Sequence, residues 1–200
     1  MYTYLALGDS YTIGEQVPMQ ENFPHQLVNH LKEQHLEVSA PVIIAQTGWT
    51  TDELATAICE HNIHETFSFV TLLIGVNNQY RGRTVENYRE EYEQLLRQAI
   101  IFANGHTQNV FVLSIPDWGA TPFAEGRDRE RVAREIDMYN TTCKDITEAH
   151  KCHYLYITDS TRQNGAQPAY LAADGLHPSA KEYAIWVGKL TPMVAKALKQ

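Results

Sequence analysis

Short apolar runs, rich in β-branched and aromatic residues, alternate along this chain with longer segments of helical period. This alternation is the strongest constraint on the fold, because it is typical of βαβ units, in which a helix crosses between two parallel strands. The runs that predict strands span residues 2–7, 38–45, 67–74, 110–114 and 154–157. The segments that predict helices span about residues 22–34, 51–61, 85–104 and 129–150, and a last helix begins at Pro178. We therefore expect an α/β fold, a three-layer α/β/α sandwich with a five-stranded parallel sheet.

Length and composition fit one globular domain over residues 1–200. Hydrophobic residues make up 44% of the chain, and no apolar run approaches the length of a membrane span. The formal net charge of −8 argues against a surface that binds nucleic acid, since such surfaces need clustered Lys and Arg. We expect neither nucleic acid nor integral membrane association.

Cysteine use and the first residues both favour a cytoplasmic protein. The three cysteines, Cys59, Cys143 and Cys152, form no C-x-x-C pair, and so few thiols fit a reducing compartment better than a disulfide framework. The first seven residues run directly into the motif described next, which leaves no secretory leader before it.

The first motif that carries chemistry is Gly8-Asp9-Ser10-Tyr11, directly after the first predicted strand. Glycine allows a tight turn out of the strand, so that the Ser10 hydroxyl projects over the carboxyl edge of the sheet, where open α/β folds form their sites. Ser10 is then a candidate nucleophile. The alternative is that Ser10 only caps the next helix, since serine is a favoured N-cap residue.

A second motif, Asp174-Gly175-Leu176-His177-Pro178, lies near the other end of the chain. A carboxylate three residues before a histidine can turn back onto the imidazole, fix its tautomer and stabilise its protonated form. The base of a serine nucleophile requires this support. The alternative is a helix-entry turn with an incidental histidine.

Two further turns offer donors for a developing oxyanion. Asn77, in Gly75-Val76-Asn77-Asn78 after the third predicted strand, has a side-chain amide that can donate to such an anion. The backbone N–H of Gly48, in the turn after the second predicted strand, can supply another donor. Ordinary turn or helix-capping chemistry also explains both segments, since Asn and Gly are common turn residues.

Together these segments resemble the SGNH, or GDSL-type, hydrolase family. That family has a GDS serine after strand one, a glycine after strand two, a G-x-N-D asparagine after strand three and D-x-x-H near the C-terminus. The matching residues here are Ser10, Gly48, Asn77, Asp174 and His177. They follow the family's order, and the motifs span residues 8–178. Two places depart from the family pattern. Asn78 stands where the family has Asp, which leaves the oxyanion donor intact but changes how the loop can pack, and residues 43–46 lack the Asn that the family often carries upstream of Gly48.

The resemblance implies a flavodoxin-like domain with strand order 2-1-3-4-5 and an ester hydrolase without metal or cofactor. Ser10 would attack the ester carbonyl, His177 would take its proton, and Asp174 would hold the imidazole. The oxyanion would accept hydrogen bonds from the backbone N–H groups of Ser10 and Gly48 and from the Asn77 side chain.

Aromatic residues near the predicted strand ends are candidates for substrate binding, because ligand sites are largely apolar. They are Trp49, Tyr80, Trp118 and Phe123. Ordinary packing explains any one of them as well. Two of the four lie in residues 115–128, a long connection of the kind that is often functional. This apolar loop favours a short acyl ester or a lysophospholipid as substrate.

Other functions stay open at this level. The resemblance also allows deacetylation of carbohydrates, and an acyltransferase would use the same Ser10 intermediate but pass the acyl group to an alcohol. A binding module with a degenerate site is disfavoured, because only catalysis requires the whole set of matching residues together. The histidine clusters at 61–65 and 150–153 lack the spacing of a zinc site, so no metal is expected. The oligomeric state stays open.

Overall fold

A computed structural model describes residues 1–199 and has a parallel sheet of five strands at its centre. The strands are β1 (Tyr4–Asp9), β2 (Val42–Gln46), β3 (Phe69–Leu73), β4 (Val110–Leu113) and β5 (His153–Leu155). They lie in the order β2-β1-β3-β4-β5. Leu7 of β1 lies opposite Ile44 on one side and Leu72 on the other. The predicted sheet and its strand order are confirmed.

Within residues 1–199, eight α-helices connect and follow these strands. They are α1 (Ser10–Ile13), α2 (Phe23–Glu33), α3 (Thr51–His61), α4 (Val76–Tyr80), α5 (Val85–Phe102), α6 (Arg129–Ala149), α7 (Thr158–Asn164) and α8 (Ala180–Leu198). Helices α2 and α8 pack together as one group, and α5 packs against both α3 and α6 in another. The helices cover both faces of the sheet, as predicted for an α/β/α sandwich.

The packing of α8 joins the end of the domain to its beginning. Tyr183 and Trp186 are fully buried and pack against Phe23 of α2, with ring centroids 6.4 and 6.2 Å away. The Tyr183 hydroxyl also donates a hydrogen bond to the Tyr11 carbonyl at 3.0 Å. Helix α8 is therefore tied directly to the segment that follows β1.

The first strand lies two residues further along the chain than predicted, because it begins at Tyr4 and continues past Leu7 to Asp9. Gly8 makes this extension possible, since it lies in a crowded position between β2 and β3. A Cβ atom there would lie only 2.5 Å from the Leu73 carbonyl oxygen. The turn that frees Ser10 thus begins two residues later than the sequence indicates.

The second strand and the last helix begin later than predicted. Val38 forms only an isolated bridge with Tyr2, and β2 begins at Val42. Pro178 does not open α8; it forms an antiparallel bridge with Leu171, and the helix starts two residues later.

Three short helices, α1, α4 and α7, were not predicted. The long connection 115–128 also contains two turns of 3₁₀ helix, Trp118–Ala120 and Pro122–Ala124. No helix within residues 1–199 combines the length and the apolar composition that crossing a membrane requires.

Candidate active site

Ser10 stands at the carboxyl edge of the sheet, as the first residue of α1 and directly after β1. The cap of this helix is Asp9, whose side chain accepts a hydrogen bond from the Tyr11 backbone N–H at 3.0 Å. Ser10 therefore does not serve as the N-cap, and its hydroxyl is available for another partner. The residue is largely buried, with 4% of its surface exposed.

That partner is His177. Its Nε2 lies 2.9 Å from Ser10 Oγ, and its Nδ1 lies 2.6 Å from Asp174 Oδ2. The neutral imidazole that fits both contacts carries its proton on Nδ1 and accepts the serine proton at Nε2. The structure thus brings together all three residues of the predicted triad, with the geometry needed to remove a proton from Ser10.

The turn around Asp174 holds this geometry. Asp174 Oδ1 accepts hydrogen bonds from the backbone N–H groups of Leu176 and His177 at 2.9 and 3.0 Å. Burial by itself raises the pKa of Asp174, but the hydrogen bonds from His177 and Leu176 outweigh it, so that this pKa lies below its usual value. The carboxylate is therefore ionised when it faces the imidazole.

The predicted oxyanion donors, Gly48 and Asn77, line the same cavity as Ser10 and His177. Gly48 has φ +84°, a conformation that favours glycine, and its carbonyl accepts a hydrogen bond from Arg81 Nη2 at 2.6 Å. Asn77 Nδ2 donates to the Trp49 carbonyl at 3.0 Å and lies 3.5 Å from Asp9 Oδ2. Because the contact with Asp9 is long, the Asn77 hydrogen that faces Asp9 is held only weakly.

Asp9 is a member of this site that the sequence analysis did not single out. Its side chain is completely buried, and within residues 1–199 it has no ion-pair partner. Burial raises the pKa of this carboxyl group to about 7, although hydrogen bonds from the backbone of Tyr11 and of Asp9 itself oppose the rise. The sequence feature that could have identified Asp9 as part of the site is its position next to Ser10 in the same motif.

Asn78, which departs from the family pattern, is buried and bonded to the start of α3. Its Oδ1 accepts a hydrogen bond from the Thr51 backbone N–H at 3.1 Å, and its Nδ2 donates to Thr51 Oγ1 at 2.6 Å. The Thr51 hydroxyl in turn donates to Glu91. The amide therefore connects α4, α3 and α5 beneath the oxyanion donors.

Ser10, Gly48, Asn77 and His177 line one cavity of about 160 Å³. Most of its remaining wall is apolar: Tyr11, Val76, Tyr80, Trp118, Phe123 and Leu176. Three of the four predicted pocket aromatics are among them. Trp49 is not among the lining residues; it packs against the hydrophobic core, and its carbonyl binds Asn77.

The aromatic side of the cavity is a cluster of three rings. Tyr80 lies 5.3 Å from Trp118 and 6.2 Å from Phe123, measured between ring centroids. The Trp118 indole donates a hydrogen bond to Gln79 Oε1 at 2.7 Å, which fixes this ring. Sequence reasoning missed Tyr11, Val76 and Leu176 in the cavity wall, although each lies beside a residue of a recognised motif.

A sequence profile of the GDSL-like lipase/acylhydrolase family matches residues 6–185. The chain belongs to that family. This assignment makes the protein an ester-hydrolysing enzyme, with a small-molecule ester as its substrate. No curated protein matches the sequence at a significant level.

Crystal structures of other proteins share the fold at low sequence identity. TesA aligns with a TM-score of 0.76 and 16% identity, over 98% of this chain and 99% of its own. The lipase/acylhydrolase of Enterococcus faecalis aligns with a TM-score of 0.73 and 18% identity, over 98% and 96%. A variant of Axe2, an acetyl xylan esterase of Geobacillus stearothermophilus, aligns with a TM-score of 0.70 and 20% identity, over 96% and 94%. These likenesses establish the fold of this GDSL-family enzyme.

Proposed function

We propose that the enzyme hydrolyses carboxylic esters through an acyl-enzyme on Ser10, with His177 as general base and Asp174 as its orienting carboxylate. The observation that carries this proposal is the continuous hydrogen-bonded path from Ser10 Oγ through His177 to Asp174, with both steps at 2.9 Å or less. A serine, a histidine and a carboxylate in this arrangement form the machinery of acyl transfer on several unrelated folds.

In the first half of the reaction, Ser10 Oγ attacks the ester carbonyl carbon and His177 Nε2 takes the hydroxyl proton. The negative charge that develops on the carbonyl oxygen is stabilised by the backbone N–H groups of Ser10 and Gly48 and by the Asn77 amide. Loss of one such donor typically costs about 10²–10³-fold in kcat. The protonated His177 then gives its proton to the leaving alcohol, while the acyl group stays on Ser10.

In the second half, water replaces the alcohol. His177 takes a proton from a water molecule as the water attacks the acyl-enzyme, and the proton returns to Ser10 when the carboxylic acid leaves. Asp174 stays ionised throughout and stabilises the imidazolium form of His177.

The cavity supports a short, neutral acyl group as the substrate's acid part. An apolar cavity of about 150 Å³ holds a benzene molecule, so that the about 160 Å³ beside Ser10 suits acyl groups of about two to six carbons. Neither lysine nor arginine lines it, so an acyl group with its own negative charge would find no counterion. The long chain of a lysophospholipid would extend beyond this volume.

The proposal is tested by hydrolysis of p-nitrophenyl esters from acetate to palmitate, with wild type, Ser10→Ala and the control Ser68→Ala. Ser68 lies far along the chain from the triad and bonds to Thr3. We expect wild type and Ser68→Ala to prefer the short esters and Ser10→Ala to lose at least about 10³-fold in kcat. A fluorophosphonate should label wild type and Ser68→Ala on Ser10 and leave Ser10→Ala unlabelled. Undiminished turnover by Ser10→Ala would refute the proposed nucleophile.

A further inference from the structure

A second, smaller cavity lies behind one wall of the catalytic cavity. We call it the inner cavity; its volume is about 20 Å³. Three residues line both cavities: Tyr11, Trp118 and Leu176. Their side chains therefore form a partition between the space beside Ser10 and the inner cavity.

The wall of the inner cavity beyond the partition is largely hydrocarbon. It includes the rings of Pro116 and Pro178 and the side chain of Leu171. Such a surface attracts the end of an alkyl chain, because burial removes apolar surface from water on both sides of the contact. By itself the inner cavity is too small to hold more than the end of a chain.

Two buried carboxyl groups, on Asp117 and Glu182, also border the inner cavity. Asp117 accepts hydrogen bonds from the Gly119 N–H at 2.9 Å and from Arg162 Nε at 2.8 Å. The donors to Glu182 are three side chains, those of Ser160, Asn164 and Trp186. Since protein donors already bind every oxygen of these carboxyl groups, neither requires a polar ligand in the cavity.

Tyr11 and Trp118 are the fixed parts of the partition. The Tyr11 N–H donates to Asp9 Oδ1, and its carbonyl accepts from the Tyr183 hydroxyl, both at 3.0 Å. The Trp118 indole donates to Gln79 Oε1 at 2.7 Å. Hydrogen bonds therefore hold both residues in place.

Leu176 is the part of the partition whose side chain is held by packing alone. It is half-buried and lies against the hydrophobic core. Its backbone N–H donates to Asp174 Oδ1 at 2.9 Å, a contact that does not involve the side chain. A smaller side chain at this position can therefore join the two cavities and leave the turn around Asp174 intact.

Another wall of the catalytic cavity faces solvent. Tyr80 and Phe123 line this wall, with 46% and 44% of their surfaces exposed. Tyr80 also borders a surface groove of about 460 Å³. The two parts of an ester need two directions away from Ser10. The part of limited length suits the side that the partition closes, and the other part suits the open side.

We propose that the acyl group of the ester points towards the partition and that Leu176 sets its greatest length. The alcohol part then lies along Tyr80 and Phe123. The inference rests on the proposed function, since it assigns the acyl end of the same reaction. With a smaller residue in place of Leu176, a longer acyl chain fits, and its end occupies the inner cavity.

The test measures kcat/KM on p-nitrophenyl octanoate divided by kcat/KM on p-nitrophenyl butyrate. Leu176→Ala removes an isopropyl group from the partition. Phe123→Ala is the matched control, because it removes a phenyl group from a wall of the same cavity that the inner cavity does not share. We expect the ratio to rise about tenfold in Leu176→Ala and to stay within about twofold of wild type in Phe123→Ala.

Two results of this comparison would overturn the proposal. A rise in Phe123→Ala that equals or exceeds the rise in Leu176→Ala would place the acyl group on the open side. An unchanged ratio in both variants would show that neither wall limits the chain.

Leu176→Phe tests the partition in the opposite direction, and it keeps the test valid if Leu176→Ala does not fold. A larger side chain shortens the acyl site. The ratio of kcat/KM on p-nitrophenyl butyrate to that on p-nitrophenyl acetate should therefore fall about tenfold. A ratio at or above the wild-type value would contradict the role of Leu176.

A binding measurement separates the failure of this inference from the failure of the proposed function. If wild type cleaves no ester, the proposed function fails, and calorimetry with sodium octanoate still tests the partition. Octanoate should bind about tenfold more tightly to Ser10→Ala when Leu176→Ala is added. Equal affinity of the single and double variants, or no binding to the double variant, refutes the inference.

Discussion

Asp9 precedes Ser10 in the chain, and its completely buried carboxyl group lies 3.5 Å from the Asn77 amide nitrogen. Burial raises its pKa from 3.8 to about 7. Between about pH 4 and about pH 7, the Asp9 carboxyl group is therefore protonated in the folded protein but ionised in the unfolded chain. Stability falls as pH rises through that window, by up to about 4 kcal/mol, because the folded state resists ionisation.

We predict that Asp9→Asn removes this loss of stability between about pH 4 and about pH 7. Asparagine can still accept the hydrogen bond from the Tyr11 N–H, but it does not ionise. The free energy of unfolding in urea, measured at about pH 4.5 and about pH 8, should drop more in wild type than in the variant. The exposed Asp145→Asn serves as the control and should follow wild type. Parallel pH dependence of wild type and Asp9→Asn would contradict the prediction.

A second prediction concerns Asn78. The Thr51 hydroxyl accepts a hydrogen bond from the Asn78 amide and donates one to Glu91. In Asn78→Asp the new carboxylate can only accept, so that the hydroxyl must turn away from Glu91. The change also buries a negative charge. We expect a loss of about 1–3 kcal/mol in the free energy of unfolding.

Because Asn78 and Glu91 both bond to the Thr51 hydroxyl, their interaction can be measured as a coupling free energy. In the double variant with Glu91→Gln, the Gln amide can donate to the threonine oxygen, and part of the lost stability should return. A double-mutant cycle in urea measures this coupling. Strictly additive changes would show that the two residues act independently.

At the scale of elements, the turn between β2 and α3 presents Gly48 to the site, and Arg81 at the end of α4 holds it. The Arg81 guanidinium donates to the Gly48 carbonyl at 2.6 Å and reaches Glu53 of α3 at 3.3 Å. The N–H and the carbonyl of Gly48 belong to adjacent peptide planes that are joined through the φ of +84° and the ψ of the glycine. Because the contact with Arg81 restrains the carbonyl plane, we infer that Arg81 positions the N–H donor.

We predict that Arg81→Ala lowers kcat on p-nitrophenyl acetate about tenfold and leaves KM nearly unchanged. A misplaced donor weakens stabilisation of the oxyanion more than binding of the substrate. Inhibition by a trifluoromethyl ketone should weaken in the same proportion. Arg97→Ala, which removes an exposed arginine from an ion pair on α5, is the control. A rise in KM with constant kcat would exclude the positioning role.

The sequence predicts the large elements well and the small ones poorly. The five strands and the four long helices before α8 were visible because each carries enough residues to show its period. Helices α4 and α7, with 5 and 7 residues, complete too few turns to show one. Pro178 looked like a helix start, but a backbone bridge to Leu171 holds it outside the helix.

The candidate site likewise contains some features that the sequence predicts and others that it does not. The contacts among Ser10, Asp174 and His177 were predictable, because their motifs combine turn chemistry with the known edge of a parallel sheet. The raised pKa of Asp9 and the place of Leu176 in the cavity wall depend on what the rest of the chain packs around them. Trp49 shows the opposite error, since an aromatic residue beside a motif can face the core instead.

For the whole molecule, we predict a single cooperative unfolding transition, as expected of one domain over residues 1–200. The Tyr2 hydroxyl donates to the Leu198 carbonyl at 2.9 Å, and the Tyr183 hydroxyl of α8 donates to the carbonyl of Tyr11, which follows Ser10. Far-ultraviolet circular dichroism, tryptophan fluorescence and esterase activity should then be lost at the same urea concentration. Two separate transitions would indicate that the chain contains more than one folding unit.

The proposed triad also has a consequence for when, during protein synthesis, the enzyme can first act. Ser10 leaves the ribosome before Asp174 and His177, which follow it by more than 160 positions in the chain. A nascent chain that already carries the nucleophile has no base to activate it, and α8 must still fold to hold the two together. We therefore expect translation products that end before Asp174 to be inert towards esters, and catalysis to begin only after α8 has been synthesised and has folded.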